Sequence, residues 1–178
     1  MMKEFDLIGK DIPRVDAIDK ATGNALFTVD LSFPHMLHGK LLRSPHPHAK
    51  ILNIDTRRAE KLAGVKAVIT GKDTPYVFGV SHFDQTPLQT EKVRHVGDAV
   101  AAVAAIDVDT AEEALRLIRV DYEPLPAVLD PVEAMKPGAP IIHEGKERNI
   151  AAYSKYDVGD VEEAFRKSDY VFEDHFET

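Results

Sequence analysis

The chain has 178 residues, of which 44% are hydrophobic and 29% are charged, a balance typical of a globular protein and not of a disordered one. It contains no cysteine, which excludes disulfides, thiolate zinc sites, a cysteine nucleophile and cysteine-ligated iron–sulfur clusters within these residues. The formal net charge of −8 and the scattered basic residues argue against nucleic-acid binding. The N-terminus shows no apolar export segment and no apolar run reaches transmembrane length, so we expect a cytoplasmic protein.

Apolar patterning predicts four strands in the first part of the chain. They cover residues 25–31, 36–43, 49–55 and 65–70. Between the last two, Asp55 or Thr56 can cap a helix that contains Ala59, and Gly64 can supply the left-handed residue after its end. Regular patterning is lost from residue 71 to residue 91, which predicts a long surface loop that either contacts another element or is mobile.

Residues 99–106 are eight consecutive small apolar residues that follow a turn at Gly97 and Asp98. This run is too short to cross a bilayer, so it predicts a buried strand at the centre of the core. Asp98 is a candidate active-site acid because it lies just before this buried segment. The sequence offers no second group to act with it, so the turn is interpreted as structural.

A helix and an edge strand are predicted after this run. Asp107 can cap the helix, in which Ala111 and Ala114 recur at helical spacing. Residues 120–123 then alternate like a strand, and the two prolines that follow confine this strand to the edge of a sheet. The central part of the chain therefore has the order strand, helix, strand.

The C-terminal part is predicted to leave the core. Three prolines between residues 130 and 145 predict an extended arm that wraps the domain without regular pairing. Asp160 begins a capping-box pattern, which predicts a short helix with Ala164 and Phe165 on its buried side. Residues 170–177 alternate like a strand, and because the chain ends within that pattern we expect it to be part of a longer protein. The short alternating elements favour the α+β class.

Two sets of residues are candidates for binding chemistry. Four histidines lie close together in the sequence: His35, His38, His46 and His48. Imidazole is a common metal ligand, but prolines interrupt this set, so we expect a turn whose histidines bond to backbone groups. Lys136 follows Ala134 and Met135, a setting similar to the lysine of biotin carrier domains, yet Pro137 would break the hairpin that such a lysine needs. No residue is assigned a catalytic, cofactor-binding or metal-binding role.

Several motifs occur in an order that is specific as a set. They are Ile8 to Ala17, Lys20 to Gly23, Met36 to Gly39, Leu42 to Ala49, Val93 to Ala105, Asp121 to Val128, Gly159 with Asp160, and Ala164 with Phe165. Together they resemble the N-terminal domain of the molybdenum hydroxylase large subunit, in the xanthine dehydrogenase and aldehyde oxidase family, over nearly the whole chain. Two positions depart from that pattern: His35 stands where a glycine is usual, and Ala99 stands where a proline is frequent.

The resemblance implies one α/β-hammerhead domain over residues 1–178, an antiparallel sheet flanked by short helices. Its core covers about residues 1–140, and residues 141–178 form an arm that leads into a molybdopterin-binding region. The whole enzyme is implied to use molybdopterin with molybdenum, two [2Fe–2S] clusters and usually FAD. In bacterial relatives the iron–sulfur and FAD groups lie on separate partner subunits, and the complete complex is expected to be a homo-oligomer.

The resemblance also implies that this domain is structural, because a glutamate beyond the chain looks like the general base. The substrates that stay open are xanthine, an aldehyde, a hydroxybenzoyl thioester, nicotinate and carbon monoxide. An alternative function is a free-standing binding module that carries a metal on the histidine turn or a prosthetic group on Lys136.

Overall fold

The structure is a computed structural model and describes residues 7–80 and 83–176. In these ranges the chain forms six strands: β1 (His38–Arg43), β2 (Ala49–Asp55), β3 (Val65–Thr70), β4 (Lys92–Val93), β5 (Ala99–Ala105) and β6 (Arg119–Pro124). It also forms five α-helices: α1 (Ala17–Thr22), α2 (Arg57–Glu60), α3 (Val108–Leu117), α4 (Pro131–Ala134) and α5 (Val161–Lys167). None of these helices has the length and apolar character needed to cross a membrane.

Within the described residues the strands form two three-stranded sheets. Sheet A has the order β1, β5, β3, and sheet B has the order β4, β2, β6. Every neighbouring pair is antiparallel. Successive strands along the chain alternate between the two sheets, so each connection crosses from one sheet to the other. Antiparallel sheets with short helices confirm the α+β prediction.

The alanine-rich run forms β5, the central strand of sheet A, as predicted. Ala101, Val103 and Ala105 point to the side that α3 covers, and they are at most 2% exposed. Ala111 and Ala114 of α3 are fully buried against them. Alanine on both the strand and the helix lets the two backbones approach closely, and this contact is the centre of the main core.

The other side of sheet A is largely uncovered. Six residues form the centre of this side: Gly39, Leu41, Ala67, Ile69, Ala102 and Ala104. The strand register places Ala102 between Leu41 and Ile69, which are 43% and 38% exposed. A Cβ atom added to Gly39 would approach no atom closer than 4.0 Å. These six residues are called the open face of sheet A.

Helix α3 begins where the sequence predicts. The Asp107 carboxylate accepts a hydrogen bond of 2.7 Å from the backbone N–H of Thr110, which satisfies a free donor of the first turn. Lys40 of β1 pairs with Glu112 of α3 at 2.9 Å. The cap fixes where the helix starts, and the ion pair lies between the helix and β1.

A second core cluster joins the two sheets. Ala49 of β2, Val93 of β4 and Val100 of β5 are fully buried together. Ile54 and Val120 pack against this cluster and against the main core. The β1–β5 register shifts opposite Val100, and this shift turns Val100 towards sheet B.

The strands predicted over residues 25–31 and 170–177 are wrong for the described residues. Residues 28–30 form a 3-10 turn instead, and Leu26 and Val29 are 78% and 89% exposed. Residues 170–176 have no regular structure, and Glu177 lies outside the described residues. A segment of alternating apolar and polar residues forms a strand only where it can pair with the edge of a sheet and pack on an apolar surface. No described strand pairs with either segment.

The C-terminal arm contains more helix than predicted. Asp130 caps α4 through a 2.8 Å hydrogen bond from the backbone of Glu133, and Pro131 occupies the first turn. Asp160 caps α5 in the predicted way. The predicted buried side of α5 is wrong, because none of its residues is buried and Phe165 is 56% exposed.

Candidate functional site

The turn at Gly97 and Asp98 is tied down by hydrogen bonds. The Asp98 carboxylate accepts from the backbone N–H groups of Arg94 at 2.6 Å and His95 at 3.3 Å, and the His95 Nε2 atom lies 2.9 Å from it. Ser44 N–H donates to the Asp98 carbonyl, and Gly97 N–H donates to the Ser44 carbonyl, each at 2.8 Å. Sequence reasoning missed these partners of Asp98. They make this acid the anchor of a turn that joins the start of β5 to the end of β1.

The four histidines take separate positions. His48 is buried, and its Nδ1 atom donates to the carbonyl of Pro126 at 2.6 Å, as expected for a histidine that bonds to backbone. The His46 ring packs edge-on against Tyr122, with ring centres 4.9 Å apart. His35 is an exposed residue with a φ of 61°, and His38 begins β1. No group of three histidine or carboxylate side chains in the described ranges is arranged to hold a metal.

Lys136 follows a helix and is not at a hairpin tip. It lies just after α4, and its Nζ atom pairs with Glu133 Oε1 at 2.5 Å. A carrier lysine has to be presented by two paired strands, which the described residues do not form at this position. The prosthetic-group alternative therefore lacks the hairpin that a carrier lysine needs.

A carboxylate links the C-terminal arm to β4. Glu144 forms ion pairs with Lys92 and with Arg94, the latter at 3.0 Å. The hydrogen bond from Lys92 is the main reason that the pKa of Glu144 is lowered to about 2. The pKa of neighbouring His143 is lowered by partial burial and by the charge of Arg94. We call Glu144, Lys92 and Arg94 the Glu144 clasp, and sequence reasoning missed it because its members are about 50 residues apart.

Asn149 closes the arm onto itself. Its side-chain amide donates to the carbonyls of Ala134 at 3.0 Å and Pro140 at 2.9 Å, while its oxygen accepts from the N–H of Ile142 at 2.8 Å. The arm therefore forms a compact loop that the Glu144 clasp holds against sheet B.

The long loop contacts this arm. Phe78 and Gln85 pair through two backbone hydrogen bonds and bring the loop back on itself. Between the loop and the arm is a cleft of ≈ 620 Å³. Its lining residues are Phe78, Gly79, Val80, Asp84, Gln85, His143, Lys146, Asn149 and Ala151.

Apolar side chains outside the two sheets remain uncovered. In the N-terminal segment, Val15 and Ile18 are 102% and 74% exposed. In the C-terminal segment, six apolar or aromatic side chains are at least 81% exposed: Tyr153, Tyr156, Val158, Tyr170, Phe172 and Phe176.

The family model described as "Aldehyde oxidase and xanthine dehydrogenase, a/b hammerhead domain" matches residues 22–126. The chain belongs to this family. The matched range contains all six described strands of sheets A and B, together with α2 and α3. The family and the fold that the sequence motifs implied are both confirmed.

Curated relatives and solved structures are similar to this chain over most of its length. The chain is 47% identical over 166 residues to a probable xanthine dehydrogenase polypeptide of Bacillus subtilis, covering 92% of this chain and 22% of that protein. It is 38% identical to the nicotinate dehydrogenase large molybdopterin subunit of Eubacterium barkeri, covering 100% of this chain and 42% of that one. A crystal structure of a Cu,Mo-CO dehydrogenase is similar with a TM-score of 0.75 and 35% identity, covering 91% of this chain and 23% of that chain. The chain thus spans less than half the length of these relatives.

The residues of this chain do not fit an iron–sulfur cluster, which is one of the cofactors that the family resemblance implies. Iron–sulfur clusters are held by cysteine thiolates, and the chain contains no cysteine. The described residues hold no cluster of metal-binding side chains. The Asp98 turn and the buried His48 are both used to position backbone.

Proposed function

We propose that this chain is the N-terminal structural domain of the large subunit of a molybdenum-dependent oxidoreductase of the xanthine dehydrogenase and aldehyde oxidase type. It packs against the molybdopterin-binding region and contributes no catalytic residue. The observation that carries this proposal is the family match over every described strand of a chain that spans only 22% of one such relative and 42% of another.

The distribution of exposed apolar side chains supports a packing role. The alternating segments at residues 25–31 and 170–176 have no partner strand in the described parts of the chain, and their large apolar side chains face solvent. Leaving such side chains in water costs about 1.5–3 kcal/mol each relative to burying them. We infer that the molybdopterin-binding region and partner subunits cover them in the assembly.

The cofactors and partners follow from the same proposal. Molybdopterin with molybdenum belongs to the rest of the subunit, and [2Fe–2S] clusters and FAD belong to partner subunits of a cytoplasmic, homo-oligomeric complex. Relatives named for xanthine, nicotinate and carbon monoxide all share similarity with this chain. We therefore place the choice of substrate outside this domain.

Isolation of the native assembly tests the proposal. An affinity tag on this chain is used to purify the complex from its source, and molybdenum and pterin are measured by elemental analysis and by fluorescence after oxidation. We expect stoichiometric molybdenum and pterin, together with polypeptides that contain iron and flavin. Partner polypeptides that co-purify without molybdenum or pterin would overturn the proposal.

Intact mass and zinc content of the same sample test the alternative module. An adduct on Lys136 or stoichiometric zinc would favour a free-standing binding function. The unmodified mass of the chain and the absence of zinc are the results that the structural role requires.

A further inference from the structure

We propose that an apolar segment from the molybdenum-binding part of the same subunit packs on the open face of sheet A. This inference rests on the proposed function and names the surface through which it acts. The surface is the set of six residues defined above, on the side of sheet A opposite α3.

The composition of β5 is the first argument. An antiparallel strand with one solvated face alternates between apolar and polar residues, whereas a strand that is buried on both faces is apolar throughout. All seven residues of β5 are alanine or valine. Ala101, Val103 and Ala105 are buried by α3, yet Ala102 and Ala104 on the other side are only partly buried. The strand therefore has the composition of a strand that is buried on both sides, although only the side that faces α3 is covered.

The neighbouring strands give the same result on the same side. Leu41 and Ile69 flank Ala102, and both are more than one-third exposed. The residues that flank Ala104 are Gly39 and Ala67. No charged side chain is among the six residues. Arg43 follows Leu41 by two residues in β1 and so lies at the end of the same side, where its guanidinium donates to the carbonyl of Gly97 at 2.8 Å. The small central residues of the surface allow a covering backbone to approach closely.

The size of the surface decides which partner fits. Three strands about 4.8 Å apart and four residues at about 3.4 Å each give an area of roughly 200 Å². A stable dimer buries about 800 Å² on each partner, so this face is too small to hold a second copy of the chain by itself. A segment of the same subunit needs no such area, because its attachment is intramolecular. Relatives such as the xanthine dehydrogenase and nicotinate dehydrogenase polypeptides have more than half of their length beyond the part matched by this chain.

Thiol labelling tests whether the open face of sheet A is covered in the native, tagged assembly. The chain has no cysteine of its own, so Leu41→Cys and Ile69→Cys each introduce one reporter on the open face. Arg116→Cys is the matched control, because its side chain is 78% exposed on α3, on the opposite side of sheet A. Maleimide reaction is followed by peptide mass spectrometry before and after denaturation. We expect native labelling to be at least about tenfold slower than denatured labelling at both open-face positions, and similar in the two states at position 116.

Photo-cross-linking identifies the segment that covers the open face. Leu41→p-benzoylphenylalanine places a photoreactive group at the rim of the face, and a cross-link to a peptide of the molybdenum-binding region is expected. A cross-link to a second copy of the chain, or to a separate polypeptide, would overturn the inference. Fast labelling at positions 41 and 69 in a sample that contains molybdenum would also overturn it and leave the proposed function intact. Absence of molybdenum from the assembly overturns both.

Discussion

Two adjacent alanines of β5 face opposite sides of sheet A, and enlarging each of them tests that assignment. Ala105 is fully buried in the main core with Ala59 and Ala111. Ala104 lies on the open face, between Gly39 and Ala67. The substitutions Ala105→Leu and Ala104→Leu introduce the same side chain one residue apart in the same strand. Strand propensity is therefore matched, and packing is the difference between the two variants.

The expected free-energy changes follow from the space at each site. Leucine at position 105 forces three more carbon atoms between β5 and the fully buried alanines of the core, and overpacking of this kind costs about 1–3 kcal/mol. Leucine at position 104 extends towards solvent on the open face, where substitutions change the free energy of unfolding by no more than about 0.5 kcal/mol. The difference corresponds to a melting temperature lower by about 2–4 °C for each kcal/mol in a chain of this length.

Urea unfolding of the purified chain, followed by circular dichroism, measures both changes. Ala105→Leu should lower the transition midpoint, and Ala104→Leu should leave it within experimental scatter. Equal destabilisation by the two variants would refute the statement that one side of sheet A is covered and the other open. A larger effect at position 104 would reverse the assignment of the two faces.

Substitutions at Asp107, Glu144 and Gly71 test three local features. Asp107→Ala removes the cap of α3 and should cost about 1 kcal/mol in urea unfolding, whereas Asp107→Asn keeps a capping oxygen and should cost much less. The pKa of Glu144 is lowered from 4.5 to about 2. The stability that the Glu144 clasp contributes should therefore be fully present above about pH 4.5 and be lost as the pH falls towards 2. Glu144→Gln should remove that dependence from amide hydrogen exchange in the arm, and an unchanged pH profile would contradict the clasp. Gly71→Ala would bring a Cβ atom to 2.5 Å from a Thr90 methyl group and should destabilise the chain by about 1–3 kcal/mol, whereas the Cβ atom of the control Gly39→Ala meets no atom closer than 4.0 Å.

Local sequence signals predict the elements whose partners are nearby or whose patterns are strong. The apolar run at residues 99–106 predicts β5, and capping oxygens at Asp107 and Asp160 predict the starts of α3 and α5. The segment at residues 49–55 matches β2 at both ends. These patterns succeed because each element satisfies its own backbone donors or is apolar enough to need burial.

The remaining features depend on contacts that are distant in sequence. β4 has only two residues, Lys92 and Val93, and becomes a strand because it pairs with β2. The Glu144 clasp joins residues about 50 positions apart, and no local pattern marks it. The segment at residues 25–31 shows the opposite error, because its alternation predicts a strand that has no described edge to join. The periodicity of apolar residues indicates which side of a segment can be buried. Whether that side is buried depends on whether another strand or helix lies next to it.

Three outer strands, β3 of sheet A and β4 and β6 of sheet B, have features that discourage the addition of further strands. On β3 the register shift leaves Lys66 without a partner between Val65 and Ala67, and a charged bulge of this kind interrupts an edge. On sheet B, β6 ends at Pro124, which lacks a backbone donor, and β4 is too short to act as a template. These strand edges therefore protect a newly made chain from edge-to-edge aggregation during synthesis, when the open face of sheet A is not yet covered.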